Sequence, residues 1–212
     1  MMTNKIPRYF KYLTFLVGCL SIIWLNSCSK KYYPPNTKNL TYDKFIDVSF
    51  IENIHVLEFL QYLEADTTSQ ELYERIKPKT AQNIDGDINI KYLHEYTDRS
   101  VPTPMSIEFA QEYCKWRSEI VTYSKNFGNK NMPKSFPDLI KKNKTATTVI
   151  KFTIPTKLSL HIADETRIQF KRYDKKLLKF KVINQETSDS TQFYLLRCTA
   201  TIIINGKISA SD

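Results

Sequence analysis

Val101-Pro102-Thr103-Pro104-Met105-Ser106-Ile107-Glu108-Phe109-Ala110-Gln111-Glu112-Tyr113-Cys114-Lys115-Trp116-Arg117-Ser118-Glu119 is the stretch that decides how this chain folds. Pro102 and Pro104 fix their own φ and push the residue before each toward extended backbone. Ser106 then offers a hydroxyl to the unpaired N–H groups of a first helical turn, and Glu108 sits well against the positive end of the helix dipole. Ile107, Ala110, Tyr113, Cys114 and Trp116 follow at helical spacing. The pattern predicts one amphipathic helix with a large aromatic face, entered from an extended segment.

Toward the N-terminus, residues 45–50 read as a short strand and residues 53–64 as a helix. Asn53 is its expected cap, and Val56, Leu57, Leu60 and Leu63 form its apolar stripe. A further short helix is expected over 67–75, stopping near Pro78. Asn83-Ile84-Asp85-Gly86-Asp87 lacks the regular ligands and terminal Glu of a calcium loop and reads as a solvated turn.

Toward the C-terminus, residues 126–147 are polar and broken by Gly128, Pro133 and Pro137, so they read as a long connection with one helical turn at 138–141. A strand at 149–154, a helix at 157–164, and strands at 177–183 and 193–204 complete the pattern. The turn-rich residues 184–190 separate the last two strands. There is no internal repeat. The expected class is α+β with a small mixed sheet, as a single domain over residues 41–212.

The start of the chain has a different character. Lys5, Arg8 and Lys11 precede an apolar run over 12–25, with no acid among them. That is a charged segment followed by a hydrophobic one, as in a secretory leader. The run is shorter than the roughly 20 apolar residues a membrane-spanning helix needs. It ends in Leu25-Asn26-Ser27-Cys28, which resembles the bacterial lipobox. The resemblance implies a signal peptide over residues 1–27, a diacylglyceryl thioether on Cys28, and acylation of the new terminal amine. Two or three acyl chains anchor a protein durably, whereas one does so only marginally. Ser29-Lys30-Lys31-Tyr32-Tyr33-Pro34-Pro35 opens a basic, Pro-rich tether over residues 28–40. Lysines beside the anchor favour an anionic lipid surface.

Removing Lys5, Arg8 and Lys11 with the leader lowers the formal charge from +9 to +6. The 185 residues that follow suffice for one core. Basic and acidic residues are interspersed, without the aromatic and basic interleaving that tracks a phosphate backbone, so a nucleic-acid partner is not expected. Lys141-Lys142-Asn143-Lys144 reads as solvated surface. Beyond Cys28 only Cys114 and Cys198 remain, both in apolar surroundings. They are either a long-range disulfide or two buried thiols, and an oxidising compartment favours the bond where geometry permits. Such a bond would contribute about 2 to 4 kcal/mol.

Three separated segments resemble one family, in its order. Phe45-Ile46-Asp47-Val48-Ser49-Phe50-Ile51-Glu52-Asn53 is similar to the early strand-to-helix segment of the formylglycine-generating enzyme, or sulfatase-modifying factor, family. Residues 105–118 resemble that family's serine-capped helix, with its Ala and its Tyr-Cys-x-Trp core, and Arg117-Ser118 is similar to the gliding-motility lipoproteins of Bacteroidetes. Thr153-Ile154-Pro155-Thr156 with Leu160-His161-Ile162-Ala163, and later Leu196-Arg197-Cys198, resemble weakened forms of its Pro-Thr and terminal Phe-Arg elements. The resemblance implies a compact fold related to C-type lectins. Active members bind copper through a pair of late cysteines, suited to Cu(I) as soft ligands. Here Cys198 is the only late cysteine, and Cys114 belongs to the helix motif. The resemblance therefore implies a scaffold without that chemistry and without a cofactor. In lipoproteins of that group, acidic residues directly after the cysteine mark surface display. Cys28 is followed by none, so the periplasmic face of the outer membrane is expected, with surface exposure as the alternative.

No residue makes a strong case for catalysis. His55, His94 and His161 lack zinc-site spacing, Ser106 is explained as a cap, and there is no Gly-x-Ser-x-Gly elbow. Asp66-Thr67-Thr68 and Asp189-Ser190-Thr191 resemble Bacteroidetes O-glycosylation triplets, with Thr67 and Ser190 as the acceptors. The expected function is a non-catalytic outer-membrane lipoprotein, an accessory subunit of a membrane-protein, secretion or gliding-motility complex. Its expected partners are an outer-membrane protein or envelope complex and the bilayer, with contacts supplied by loops such as 126–147. Glycan or peptide binding, with Trp116 and Tyr113 facing a groove, is one alternative. A residual oxidoreductase, requiring Cys198 close to a second thiol, is the other.

Overall fold

Two short strands, β1 (Thr37–Asn39) and β2 (Lys44–Asp47), precede helix α1 (Asn53–Ala65). The computed structural model describes residues 32–77, 100–168, 170–173 and 180–208, with backbone strands at 83–84 and 88–89. The expected leader, Cys28, His94 and residues 177–179 of an expected strand lie outside the described residues. After α1 come a 3-10 turn (Thr67–Ser69), α2 (Gln70–Ile76), and the short pair β3 (Asn83–Ile84) and β4 (Ile88–Asn89). The central helix α3 (Ile107–Phe127) leads to α4 (Phe136–Asn143), β5 (Thr148–Thr153), α5 (Lys157–Glu165), β6 (Thr199–Ile204) and β7 (Lys207–Ile208).

The main sheet runs β1-β2-β6-β5, and β7 folds back on β6. Every pairing between its named strands is antiparallel, which corrects the expected mixed sheet. The α+β class holds. Asn205 and Gly206 connect β6 to β7 with φ of 49° and 77°. Positive φ at both central residues suits the right-handed twist of a two-residue hairpin, and Gly206 adopts it without a Cβ clash.

The central helix begins where the sequence puts it. Ser106 Oγ accepts from Phe109 N at 3.1 Å. Tyr113 and Trp116 are buried, and they pack with Phe109 around Phe59 of α1. These rings are core and do not line a binding groove. In α1 the buried apolar residues are Val56, Phe59 and Leu63, so the stripe includes Phe59 and leaves Leu57 and Leu60 only half-buried. The cap of α1 is Glu52 rather than Asn53. Asn53 is buried, and its Oδ1 accepts from the Thr103 hydroxyl.

Four further expectations are corrected. Residues 126–147 do not form an open loop: α4 buries Phe136 and Leu139. Asn143, read as part of a solvated lysine run, is also buried. Only residues 199–204 of the strand expected at 193–204 are regular. Before that, the backbone changes partner almost residue by residue: Tyr194 pairs with Met105, Leu195 with Lys181 and Ile183, Leu196 with Ile51, and Cys198 with Asp47. The tether also ends earlier than residue 40. Pro34 is buried, Tyr33 packs edge-on against Phe45 at 5.8 Å, and β1 already belongs to the sheet.

The open edge of β5 is closed by α3. Asn126 Nδ2 donates to Thr148 O at 2.6 Å, while its Oδ1 accepts from Thr148 N at 3.1 Å. Thr122 Oγ1 accepts from Ile150 N at 2.9 Å and donates to Ile150 O at 3.3 Å. Ser118 Oγ accepts from Phe152 N at 2.8 Å, while its own hydrogen goes to the Cys114 carbonyl at 2.7 Å, with Phe152 O farther off at 3.4 Å. Four helical residues advance about 6 Å, and two strand residues advance about 6.8 Å. The two repeats therefore stay in step across three rungs. An edge strand left bare would invite another chain to pair with it.

Candidate functional site

The polar centre of the molecule is assembled from the end of β2, the middle of α3 and the approach to β6. Arg117 lies on the helix face that also carries Ala110, Tyr113 and Cys114, and it grips Asp47 with two parallel hydrogen bonds of 2.8 Å. Asp47 Oδ2 also accepts from Cys198 N at 2.9 Å, while the Asp47 carbonyl accepts from Arg197 Nε at 2.7 Å. Asp47 is fully enclosed, and both arginines are buried. Their planes stack on rings: Arg117 lies 3.9 Å from the Phe152 centroid, and Arg197 lies 4.4 Å from that of Phe170. Burial alone would weaken the proton affinity of the Arg117 guanidinium, but the Asp47 carboxylate outweighs it and carries the group well above its ordinary value. Arg117 Nη2 also donates to Pro35 O at 3.0 Å, so the same guanidinium holds the segment that leads into β1.

Cys114 and Cys198 meet beside this pair. Their sulfurs are 3.5 Å apart, and both are buried free thiols. A disulfide requires a separation of about 2.05 Å, so the structure presents two thiols in contact. Burial, then the hydrogen bond with Cys114 and the negative charge of Asp47, push the Cys198 thiol well above its ordinary value.

Two further polar clusters support the frame. Glu52 accepts from Lys171 Nζ at 2.6 Å and Tyr173 Oη at 2.7 Å, which ties α1 to the segment after α5. Asp66 ends α1 and accepts from Thr68, Ser69 and Phe136 N, joining the 3-10 turn to the start of α4. Burial would raise its carboxyl, but these hydrogen bonds outweigh that and hold it below the usual range. Asp66 and Asp189 form matching turns. Each accepts from the N–H and hydroxyl of the threonine two residues on, at 3.0 and 2.7 Å in one and 2.9 and 2.6 Å in the other. The middle residues, Thr67 and Ser190, are exposed.

The two histidines among the described residues do not converge. His55 is half-buried, and its Nδ1 accepts from Glu52 N at 3.2 Å. His161 is exposed and lies 3.0 Å from Glu165. Among the described residues, no group of three His, Cys, Asp or Glu side chains could hold a metal ion.

The molecule also has a surface groove of about 610 Å³. Cys114, Ser118 and Thr122 of α3 line it together with Ile150 and Phe152 of β5 and Ile154 just after it. Ile140, Asn143 and Lys144 of the α4 end form one flank, and Asn184, Gln185 and Thr187 lie at the other end. The lining is mainly apolar and carries several amides, a composition suited to organic ligands. Asn143 Nδ2 donates to the Glu119 carbonyl at 2.8 Å and to its carboxylate at 2.7 Å, while the enclosed Asn143 Oδ1 has no partner among the described residues.

Sequence reading picked out the two cysteines and the helix cap, and the structure brings the cysteines together. It missed the Asp47–Arg117 pair and the groove. One signal for the pair was present: Arg117 falls on the apolar helix face, where a charge needs a partner. The groove had no comparable signal, because its flanks come from four separate segments.

The fold and site define an α+β domain around an antiparallel sheet, with a closed ionic centre and an open groove. The chain matches no family model, no curated protein and no solved structure.

Proposed function

We propose that this chain is a non-catalytic, lipid-anchored lipoprotein of the outer membrane, built on a degenerate formylglycine-generating-enzyme-like scaffold. It serves as an accessory subunit of a membrane-protein, secretion or gliding-motility complex, attached through acylated Cys28. The observation that carries the non-catalytic reading is the enclosure of its reactive groups. Asp47, Arg117, Arg197 and both cysteines are buried, and the Asp47 carboxylate is occupied by hydrogen bonds that hold β2, α3 and β6 together. The leader and Cys28 motif support the anchor, and the helix motif around Tyr113-Cys114-Lys115-Trp116 supports the scaffold.

The contact between Cys114 and Cys198 is the observation that favours a residual copper oxidase instead. The residues fit copper poorly. Cu(I) takes thiolates, whereas burial keeps the Cys198 thiol protonated and Asp47 beside it is already committed to Arg117. Glycan binding is also disfavoured: Phe152 is the aromatic residue lining the groove, and Arg117 covers one of its faces.

Crosslinking in native membranes, affinity purification of the full chain and mass spectrometry test the reading. The expected result is a stoichiometric envelope-protein partner, lost when Cys28→Ala releases the chain from the membrane. Recovery of a free monomer, or stoichiometric Cu(I) binding that disappears in Cys198→Ser, would overturn it.

A further inference from the structure

We infer that the groove beside α3 binds an extended peptide segment of a partner protein, one in which apolar and acidic side chains alternate. This deepens the accessory-subunit reading and rests on it for the partner's origin. The lining runs along α3 from Ile107 to Thr122. At 1.5 Å per residue this is about 22 Å, the length of six or seven residues of extended chain at about 3.3 Å each. The shape is therefore linear.

The chemistry follows from three features. First, the β5 edge is closed by Ser118, Thr122 and Asn126, so a peptide cannot bind by adding a strand and must be held by side chains. Second, Gln111, Asn143 and Asn184 place amides along the groove, and an amide can serve either an N–H or a C=O of a passing backbone. Three buried side-chain polar atoms have no partner among the described residues: Trp116 Nε1, Arg197 Nη2 and Asn143 Oδ1. Of these three residues, only Asn143 lines the groove, with 8% of its surface exposed.

Third, the charge is one-sided. Lys115, Lys144 and Lys151 line the groove against one acid, Glu119, whose carboxylate already accepts from Asn143. Lys144 and Lys151 have no ion-pair partner among the described residues, and Lys115 has only Glu112 at 3.9 Å. Val149, which is 37% exposed, and Ile140 supply apolar surface between these cations. Acidic groups beside the lysines and apolar groups on Val149 and Ile140 together describe the occupant.

The test uses the full chain in nanodiscs, screened against a displayed library of random heptamers. Enriched peptides are then measured by fluorescence anisotropy. Alternating acidic and apolar heptamers should be enriched, and they should bind at least tenfold more weakly to Val149→Trp, which fills the groove from an exposed position. Lys144→Glu combined with Lys151→Glu should shift enrichment to basic heptamers, an effect that altered folding alone would not produce. Equal urea midpoints establish that each variant is folded, and the charge-reversed protein decides the matter if Val149→Trp is not. No enrichment over empty nanodiscs, or affinity unchanged by both variants, overturns the inference. A membrane partner crosslinked to another face, with no peptide enriched, would sink the inference and leave the accessory role standing. Peptide binding without any membrane partner would do the reverse.

Discussion

Asp47 is enclosed and accepts three hydrogen bonds through its carboxylate, so removing it leaves Arg117 buried without its counter-charge. Breaking one partner of a buried pair costs about 3 to 5 kcal/mol, because the remaining charge keeps its desolvation penalty. Asp47→Ala should lower stability by that amount in urea unfolding. Arg117→Lys should also be costly, since an ammonium cannot reproduce the two-pronged grip or the stacking on Phe152. A loss below about 1 kcal/mol for Asp47→Ala would mean that the pair behaves like a surface ion pair. At this scale the sequence was partly legible: an arginine on the apolar face of α3 signals a buried partner. It could not say which acid, since Asp47 lies 70 residues away.

Two elements carry separable predictions. The polar stripe of Ser118, Thr122 and Asn126 joins α3 to β5: each side chain accepts from the N–H of one strand residue, and Thr122 and Asn126 also donate to its C=O. Thr122→Val keeps the shape and removes the hydroxyl, leaving the Ile150 N–H without an acceptor. Stability should fall by about 1 to 3 kcal/mol, with Thr122→Ser restoring most of it. Faster hydrogen exchange at Ile150 N would locate the loss, and unchanged exchange would contradict the arrangement. The spacing of four along α3 was visible before the fold was known, but nothing in it indicated that the stripe faces a strand edge rather than water.

The start of α1 responds to acid. Burial, followed by the positive charge of Arg117, lowers the proton affinity of His55, whose Nδ1 must stay unprotonated to accept from Glu52 N. The unfolded chain therefore takes up this proton at a higher pH than the folded chain. Its contribution to stability is present above about pH 6.5 and is lost as pH falls toward the lowered folded value. The urea midpoint should decline between about pH 7 and 5, and His55→Gln should flatten that decline. An identical slope in the variant would assign the effect to other groups.

Across the whole molecule, Cys114 and Cys198 connect the central helix to the approach of the last long strand, 84 residues apart. Their contact lets a disulfide close with only a small shift of the two sulfurs. Closing it removes freedom from the unfolded chain and should raise stability by about 2 to 4 kcal/mol. Oxidised protein should lose two hydrogens by mass spectrometry and unfold at higher urea, while Cys114→Ser should show neither change. Oxidation that produces only intermolecular dimers would contradict the pairing.

What the sequence determined by itself is local. The Pro-rich approach, Ser106 cap and aromatic stripe specify α3, and the alternation over 149–154 specifies β5, because each depends on neighbours within a turn or a few residues. Only the tertiary structure decided that Arg117 meets Asp47, that the two cysteines touch, and that residues 194–198 leave regular pairing. It also decided that Asn143 turns inward from a lysine-rich run to wall a groove. Each of these depends on segments distant in sequence being brought together by burial of a shared core, and burial is a property of the packed molecule rather than of any stretch within it.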